Sequence, residues 1–233
     1  MSRRECAFFS LLGRALLPLR CLACEEPGAD GLDLCRECLA ALPWNRSSCA
    51  RCALPLPRPA PRCGRCTGGR PPQASARAAF LHARPVDQLH RRLKFHGDLA
   101  AGRLLGQLLA RSLAGVPRPD ALVPLPLHRA RLRQRGFDQA LELARPLARA
   151  LGLPLLSGRL QRARHTLPQS ELDAGARRRN VRGAFVVAPG PPLPAHLALF
   201  DDVMTTGATL QEAARALRRA GVERVDLWAL ARA

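Results

Sequence analysis

At 233 residues and 47% hydrophobic content, the chain can hold one sizeable core and a small accessory module. It has no uninterrupted apolar stretch of about 20 residues, which argues against membrane insertion, and 37 Lys and Arg against 18 Asp and Glu give a formal charge of +19. That balance favours polyanionic partners such as nucleic acid or phosphorylated ligands. Lys94 is the only lysine, however, so the excess of arginine is equally consistent with genomic base composition.

Met1–Cys21 opens with a basic pair and apolar residues in the manner of a signal peptide. Glu5 and Arg14 interrupt that run and no small-residue cleavage site follows, so residues 1–19 read as a lead-in helix and the chain as cytoplasmic. Eight of the nine cysteines then form four CxxC pairs, Cys21/Cys24, Cys35/Cys38, Cys49/Cys52 and Cys63/Cys66, with ten residues between successive pairs. A CxxC turn lets two thiolates face one cation, and two such turns complete a tetrahedral shell for zinc, so about two structural zinc ions are expected. The segment is rich in Pro, Gly and Arg, and metal must supply much of its folding energy. Joining neighbouring pairs closes two adjacent ribbons, although equal spacing also permits crossed pairings. A disulfide framework suits exported domains, and four equivalent pairs read as scaffold rather than redox chemistry. Cys6 reads as a small apolar residue of the lead-in helix.

Residues 20–70 are therefore expected to form a double zinc ribbon, and Thr67–Ser75 (TGGRPPQAS) a linker into a second domain spanning residues 71–233. Apolar periodicity there predicts strands at Arg77–Ala83, Asp120–Leu127, Leu155–Leu160, Gly183–Val187, Leu197–Phe200 and Arg224–Leu230. Helices are expected at Val86–Leu113, with a break at Gly97, at Phe137–Leu151, at Leu210–Ala220, and as a short element in the polar stretch before Asn180. Alternating strands and helices argue for an α/β fold, a parallel sheet with helices on both faces.

Ala198–Leu210, ALFDDVMTTGATL, joins an apolar strand to two carboxylates and a hydroxyl-rich turn that enters a helix. Asp201 and Asp202 are expected at the carboxyl end of the strand, where open α/β sheets bind ligands. Thr205, Thr206, Gly207, Ala208 and Thr209 would aim backbone N–H groups and hydroxyls at an anion. A Walker B element also ends in acids, but it needs a Gly-Lys-Ser/Thr loop, and Lys94 sits in LKFHG. His82, His90, His96, His128, His165 and His196 form no spaced constellation, and none is assigned as a base.

ALFDDVMTTGATL resembles the phosphoribosyl-pyrophosphate (PRPP) signature of type I phosphoribosyltransferases. With LKFHGDLAAGRLL (Leu93–Leu105), LVPLPLHRARLRQRGFDQA (Leu122–Ala140), RHTLPQSELDAGARRRNVRGAF (Arg164–Phe185) and the cysteine pairs, the chain from Cys21 onward looks like a member of the ComF family. That family joins a zinc ribbon to a phosphoribosyltransferase-like domain and supports uptake of transforming DNA. Asp138 departs from the pattern, which more often has Asn there.

The resemblance implies that Asp201 and Asp202 hold the ribose hydroxyls and Thr205–Thr209 the 5′-phosphate. Pro124, Leu125 and Pro126 would form the pyrophosphate loop, with Arg129, Arg133 and Arg135 as pyrophosphate contacts; Arg135 joins the two acids as a catalytic candidate. The same arginines also read as a solvated helix face. Mg²⁺ would ride on the substrate's oxygens, with Asp201 or Asp202 assisting through water. Thr166, Gln169, Arg178 and Asn180 would belong to a flexible loop that closes over PRPP, and the acceptor hood would lie around Phe80–Phe95. The implied function is PRPP binding together with single-stranded DNA handling in DNA uptake, alongside other uptake proteins; the oligomeric state stays open, with a homodimer as one expectation because the fold family often dimerises. The alternative is a metabolic transferase acting on a base or amine, with no role in DNA.

Overall fold

Four strands form the central sheet of the computed structural model, which describes residues 18–164 and 179–233. They are β1 (Ser75–Leu81), β2 (Ala121–Pro124), β5 (His196–Met204) and β6 (Arg224–Arg232), all parallel in the order β1-β6-β5-β2. The central strand β6 is buried along nearly its whole length, as expected of a parallel strand covered on both sides.

One face of the sheet packs against three helices, α3 (Val86–His96), α4 (Leu99–Leu113) and α6 (Gln139–Leu151), around Phe80, Phe200 and Trp228. The other face packs against α7 (Ala208–Arg219) and a small antiparallel hairpin of β3 (Leu160–Arg162) and β4 (Phe185–Val187). A short α5 (Arg129–Arg135) lies between β2 and α6. The expected α/β architecture with a doubly covered parallel sheet is what the chain adopts.

Local chemistry explains the breaks. The long helix ends at Gly97, whose positive φ of 65° suits glycine, and Asp98 restarts it by accepting the Ala101 N–H at 3.0 Å. Close packing of α4 on α6 depends on Gly106, because a Cβ there would meet Pro146 Cγ at 2.4 Å.

Several expectations change: the strand expected at Asp120–Leu127 ends at Pro124, and Arg129–Arg135 forms a helix. β5 runs to Met204, not Phe200, because β6 flanks it as far as Arg232 and satisfies the extra backbone groups. Leu155–Leu160 is not a strand: Leu155 makes one bridge to Leu122, then Gly158 turns the chain at φ 83° and only Leu160 enters β3. Phe185–Val187 pairs with β3 rather than with the main sheet. The short helix expected before Asn180 falls largely on residues outside those described.

In the amino-terminal module, two short helices, α1 (Arg36–Ala40) and α2 (Gly64–Thr67), each follow the first cysteine of a CxxC pair. Cys21, Leu32, Leu34, Cys35 and Leu42 belong to the same core as α3 and α4. Trp44 bridges to the free edge of β1 and stacks near Phe80, with ring centroids 4.5 Å apart. Among the described residues, no helix is long and apolar enough to cross a membrane.

Candidate functional site

β5 carries its carboxylates past the point where its neighbour stops. Pro124 of β2 aligns with Phe200, and the Leu125 N–H donates to the Phe200 carbonyl at 2.7 Å, so Asp201 and Asp202 extend beyond the end of β2 while β6 still pairs alongside. Successive strand residues point to opposite faces, and the acidic pair is split accordingly.

Asp202 turns toward α3 and α6. Its Oδ2 accepts from His90 Nε2 at 2.9 Å and from Gln139 Nε2 at 3.2 Å, and both His90 and Asp202 are buried. Burial raises the Asp202 carboxyl, but the hydrogen bond and charge of His90, with smaller help from Asp201 and Lys94, together outweigh it and hold the group below the usual carboxylate range. Asp201 has only the Asp202 N–H, at 2.8 Å, in its favour: burial and the neighbouring Asp202 charge push its carboxyl well above that range. The two acids, equivalent in the sequence, are electrostatically opposite in the fold.

Around them the loops converge. Gln139 accepts from Arg135 while it donates to Asp202, which links Arg135 to the acidic pair through one amide. Asp138 is held by three backbone donors, Leu127 to Oδ2 and Ala140 and Leu141 to Oδ1. All three need only an acceptor, so an aspartate serves where asparagine was expected. A cavity of about 490 Å³ opens between Pro124, Pro126, Arg129 and the segment from Ser157 to Arg162. Arg162 sits over the Phe185 ring at 5.6 Å; burial and the nearby Arg131 disfavour its charge and Asp201 favours it.

The turn after β5 meets the same edge. Gly207 adopts φ 78° as it enters α7, and Thr206 Oγ1 accepts the Ala208 N–H at 3.3 Å, with Thr205 and Thr209 half-buried on either side. Leu125 has its side chain in the core, so only its backbone is available to a ligand, and Arg133 is exposed on the outer side of α5. Asn180 is half-buried, while Thr166, Gln169 and Arg178 lie outside the described residues. The stems on either side of that segment meet, with Arg164 donating to the Arg182 carbonyl at 2.9 Å and the Gly183 N–H reaching Glu212 on α7 at 3.0 Å. Of the expected hood, Phe80 is buried in β1, and α3 is the part that reaches the site, through His90.

His90, Gln139 and Arg162 are the residues around the acidic pair that spacing alone does not reveal. His90 had a signal: it lies on the stripe of α3 that buries Val86, Leu89 and Leu93, where an unpaired polar side chain is costly. His196 pairs with Asp226 at 2.8 Å, and His128 caps α5 by accepting the Ala130 N–H at 3.2 Å.

The cysteines form two clusters, Cys21/Cys24/Cys35/Cys38 and Cys49/Cys52/Cys63/Cys66, each with its four sulfurs within 4.8 Å of one another. This is the sequential pairing, without crossing. Sulfur separations of 3.5 Å (Cys24–Cys38), 3.6 Å (Cys24–Cys35) and 3.7 Å (Cys52–Cys63) fit the edge of a tetrahedron with Zn–S bonds of about 2.3 Å. These cysteines are free thiols, which removes the disulfide alternative for them. Burial raises the Cys21 thiol, but backbone N–H groups led by that of Cys35 bring it down to about 6. Burial and the neighbouring thiols push Cys38 and Cys66 up, so four thiolates coexist only around a cation.

An α/β sheet with an acidic carboxyl edge, fronted by two four-cysteine centres, defines the class. A double zinc ribbon domain family matches residues 12–67. The chain is 38% identical over 157 residues to Competence protein F of Haemophilus influenzae, covering 64% of this chain and 69% of that one. It is 34% identical over 223 residues to the DNA utilization protein YhgH of Escherichia coli K12, covering 93% and 98%. The chain belongs to this family, that of Competence protein F, ComFC and YhgH. Among solved structures, an alanine mutant from a study of an invariant aspartic acid in HPRTs overlaps 64% of this chain and 78% of its own, at a TM-score of 0.33 and 12% identity.

Proposed function

We propose that the carboxyl edge of the sheet is a PRPP site. The observation that supports it most is that Asp201 and Asp202 lie near the end of β5, just before the Thr205–Thr209 turn, while Gln139, bonded to Asp202, adjoins Asp138, which lines the cavity together with Pro124, Pro126 and Arg129. Asp201 takes a ribose hydroxyl, and Asp202, braced by His90 and Gln139, keeps the end of β5 in place and offers its remaining acceptor positions to the sugar. The turn and the first residues of α7 receive the 5′-phosphate. Arg129 and Arg135 face the pyrophosphate, and Arg162 adds positive charge to the cavity that Arg129 lines.

Asp201 suits a magnesium-bound substrate, since burial and Asp202 raise its carboxyl and a nearby cation would favour the charged form. Bound Mg²⁺ supplies charge neutralisation at the pyrophosphate. The protein's own residues fix the sugar and pyrophosphate relative to one another, which is what expulsion of a leaving group from the anomeric carbon requires. Asn180, with Thr166, Gln169 and Arg178, belongs to the segment that covers the substrate.

The second half of the reading is single-stranded DNA handling in the cytoplasm by the zinc-ribbon module, residues 20–70, beside the 71–233 domain. The charge of +19 and the naming of relatives for competence and DNA utilization support it. A pyrophosphate-release assay with PRPP and Mg²⁺, screened over nucleobases, amines and short oligonucleotides, separates the possibilities. Release with one acceptor class makes the protein a transferase, and binding without release makes the site a ligand sensor.

A further inference from the structure

The two zinc ribbons are opposite in charge. The first, residues 20–38, holds Glu25, Glu26, Asp30, Asp33 and Glu37 against only Arg20 and Arg36; residues 39–70 hold six arginines and no acid. They also differ in what their surfaces already do. The first is docked: its apolar residues join the α3/α4 core, Arg103 meets Asp33 at 2.5 Å, and Arg92 donates to the Leu22 carbonyl at 2.6 Å. The second meets the sheet at one edge, through Ala53 in the sheet's core and the Ala76 N–H to the Ala50 carbonyl at 2.8 Å, and keeps a small cluster of its own, in which Cys49, Cys63 and Cys66 pack with Leu54 and Leu56. Its Arg58, Arg62, Arg65 and Arg70 are exposed, and none makes an ion pair among the described residues.

A tetrathiolate zinc centre carries two negative charges, so the second ribbon stays strongly positive when metallated while the first becomes more acidic. At the foot of the second ribbon a cavity of about 270 Å³ is lined by Trp44, Arg46 and Arg77. An aromatic surface flanked by arginines fits an unstacked base on a single strand.

We propose that the ribbons divide the work: the first is an acidic wedge that fixes the module to α3 and α4, and the second is the surface that takes the phosphate backbone of a single strand. This rests on the nucleic-acid half of the proposed function and assigns it to particular residues. Repulsion from five carboxylates keeps the strand off the first ribbon, and exposed arginines contribute mainly through counterion release, which makes the contact salt-dependent.

The test measures binding of a labelled oligothymidylate of about 20 nucleotides by anisotropy over a series of salt concentrations. It compares the full wild-type chain, the Arg58→Gln/Arg62→Gln/Arg65→Gln/Arg70→Gln variant and the Arg20→Gln/Arg36→Gln variant, each checked for zinc content. The quadruple variant should keep its zinc, lose at least about tenfold in affinity and lower the salt slope by about 2 to 3, while the first-ribbon variant binds as wild type. Undiminished binding by the zinc-replete quadruple variant overturns the division of labour and leaves DNA binding to the other domain. No binding by wild type defeats the nucleic-acid reading itself. Wild-type binding to phosphatidylglycerol vesicles but not to the oligonucleotide makes this face a membrane surface and also overturns the proposal.

Discussion

Nε2 of His90, on α3, lies 2.9 Å from Oδ2 of Asp202, on β5, across 112 residues of sequence. This contact ties the helix covering one face of the sheet to the strand that carries the acidic pair, and it makes Asp202 a braced carboxylate. Removing its partner strands a buried charge, so His90→Ala should destabilise the fold by about 3 kcal/mol in urea titration. His90→Gln, which keeps an N–H donor, should recover part of that loss.

Asp201 should behave in the opposite way. Its carboxyl is raised by burial and by Asp202, so the folded chain holds a proton that the unfolded chain releases near pH 4. Its contribution is therefore fully present below about pH 4 and is lost as pH rises through the folded value. Without divalent cations, Asp201→Asn should raise the melting temperature at neutral pH by at least about 2 °C and flatten the decline of stability toward alkaline pH. Asp202, held low, acts in the acid window, where its contribution is lost as pH falls below about 4.

The zinc centres should differ in reach. Metal analysis should find about two zinc ions per chain, and either Cys35→Ser or Cys63→Ser should leave about one. Because Cys35 belongs to the α3/α4 core and Cys63 to a separate small cluster, Cys35→Ser should lower the melting temperature of the whole chain more than Cys63→Ser does.

Gly106→Ala places a methyl group against Pro146 on α6, 2.4 Å from its Cγ. Overpacking of this kind should cost about 1 to 3 kcal/mol in chemical denaturation, whereas exposed Gly115, with open space at its Cβ, should accept alanine with little change.

The architecture was legible wherever local chemistry punctuates the chain. Gly97 marks the end of α3, the apolar runs mark β5 and β6, and the ten-residue spacing of the cysteine pairs anticipates the two clusters. The end of β5 was not legible, because Val203 and Met204 precede a hydroxyl-rich turn and their strand conformation depends on β6, more than twenty residues later. The split between Asp201 and Asp202 was hidden for the same reason: alternation assigns the two acids to opposite faces only once both lie inside the strand. His90 and Arg162 reach the site from elements distant in sequence, so no local spacing could announce them.

The central claim is that the end of β5 binds PRPP. Isothermal titration calorimetry of PRPP with Mg²⁺, on wild type and on Asp201→Asn/Asp202→Asn with its zinc content verified, tests it most directly. Saturable binding by wild type, abolished in the zinc-replete double variant, is the predicted result. Equal affinity in the two proteins, or no heat of binding with folded wild type, would contradict it.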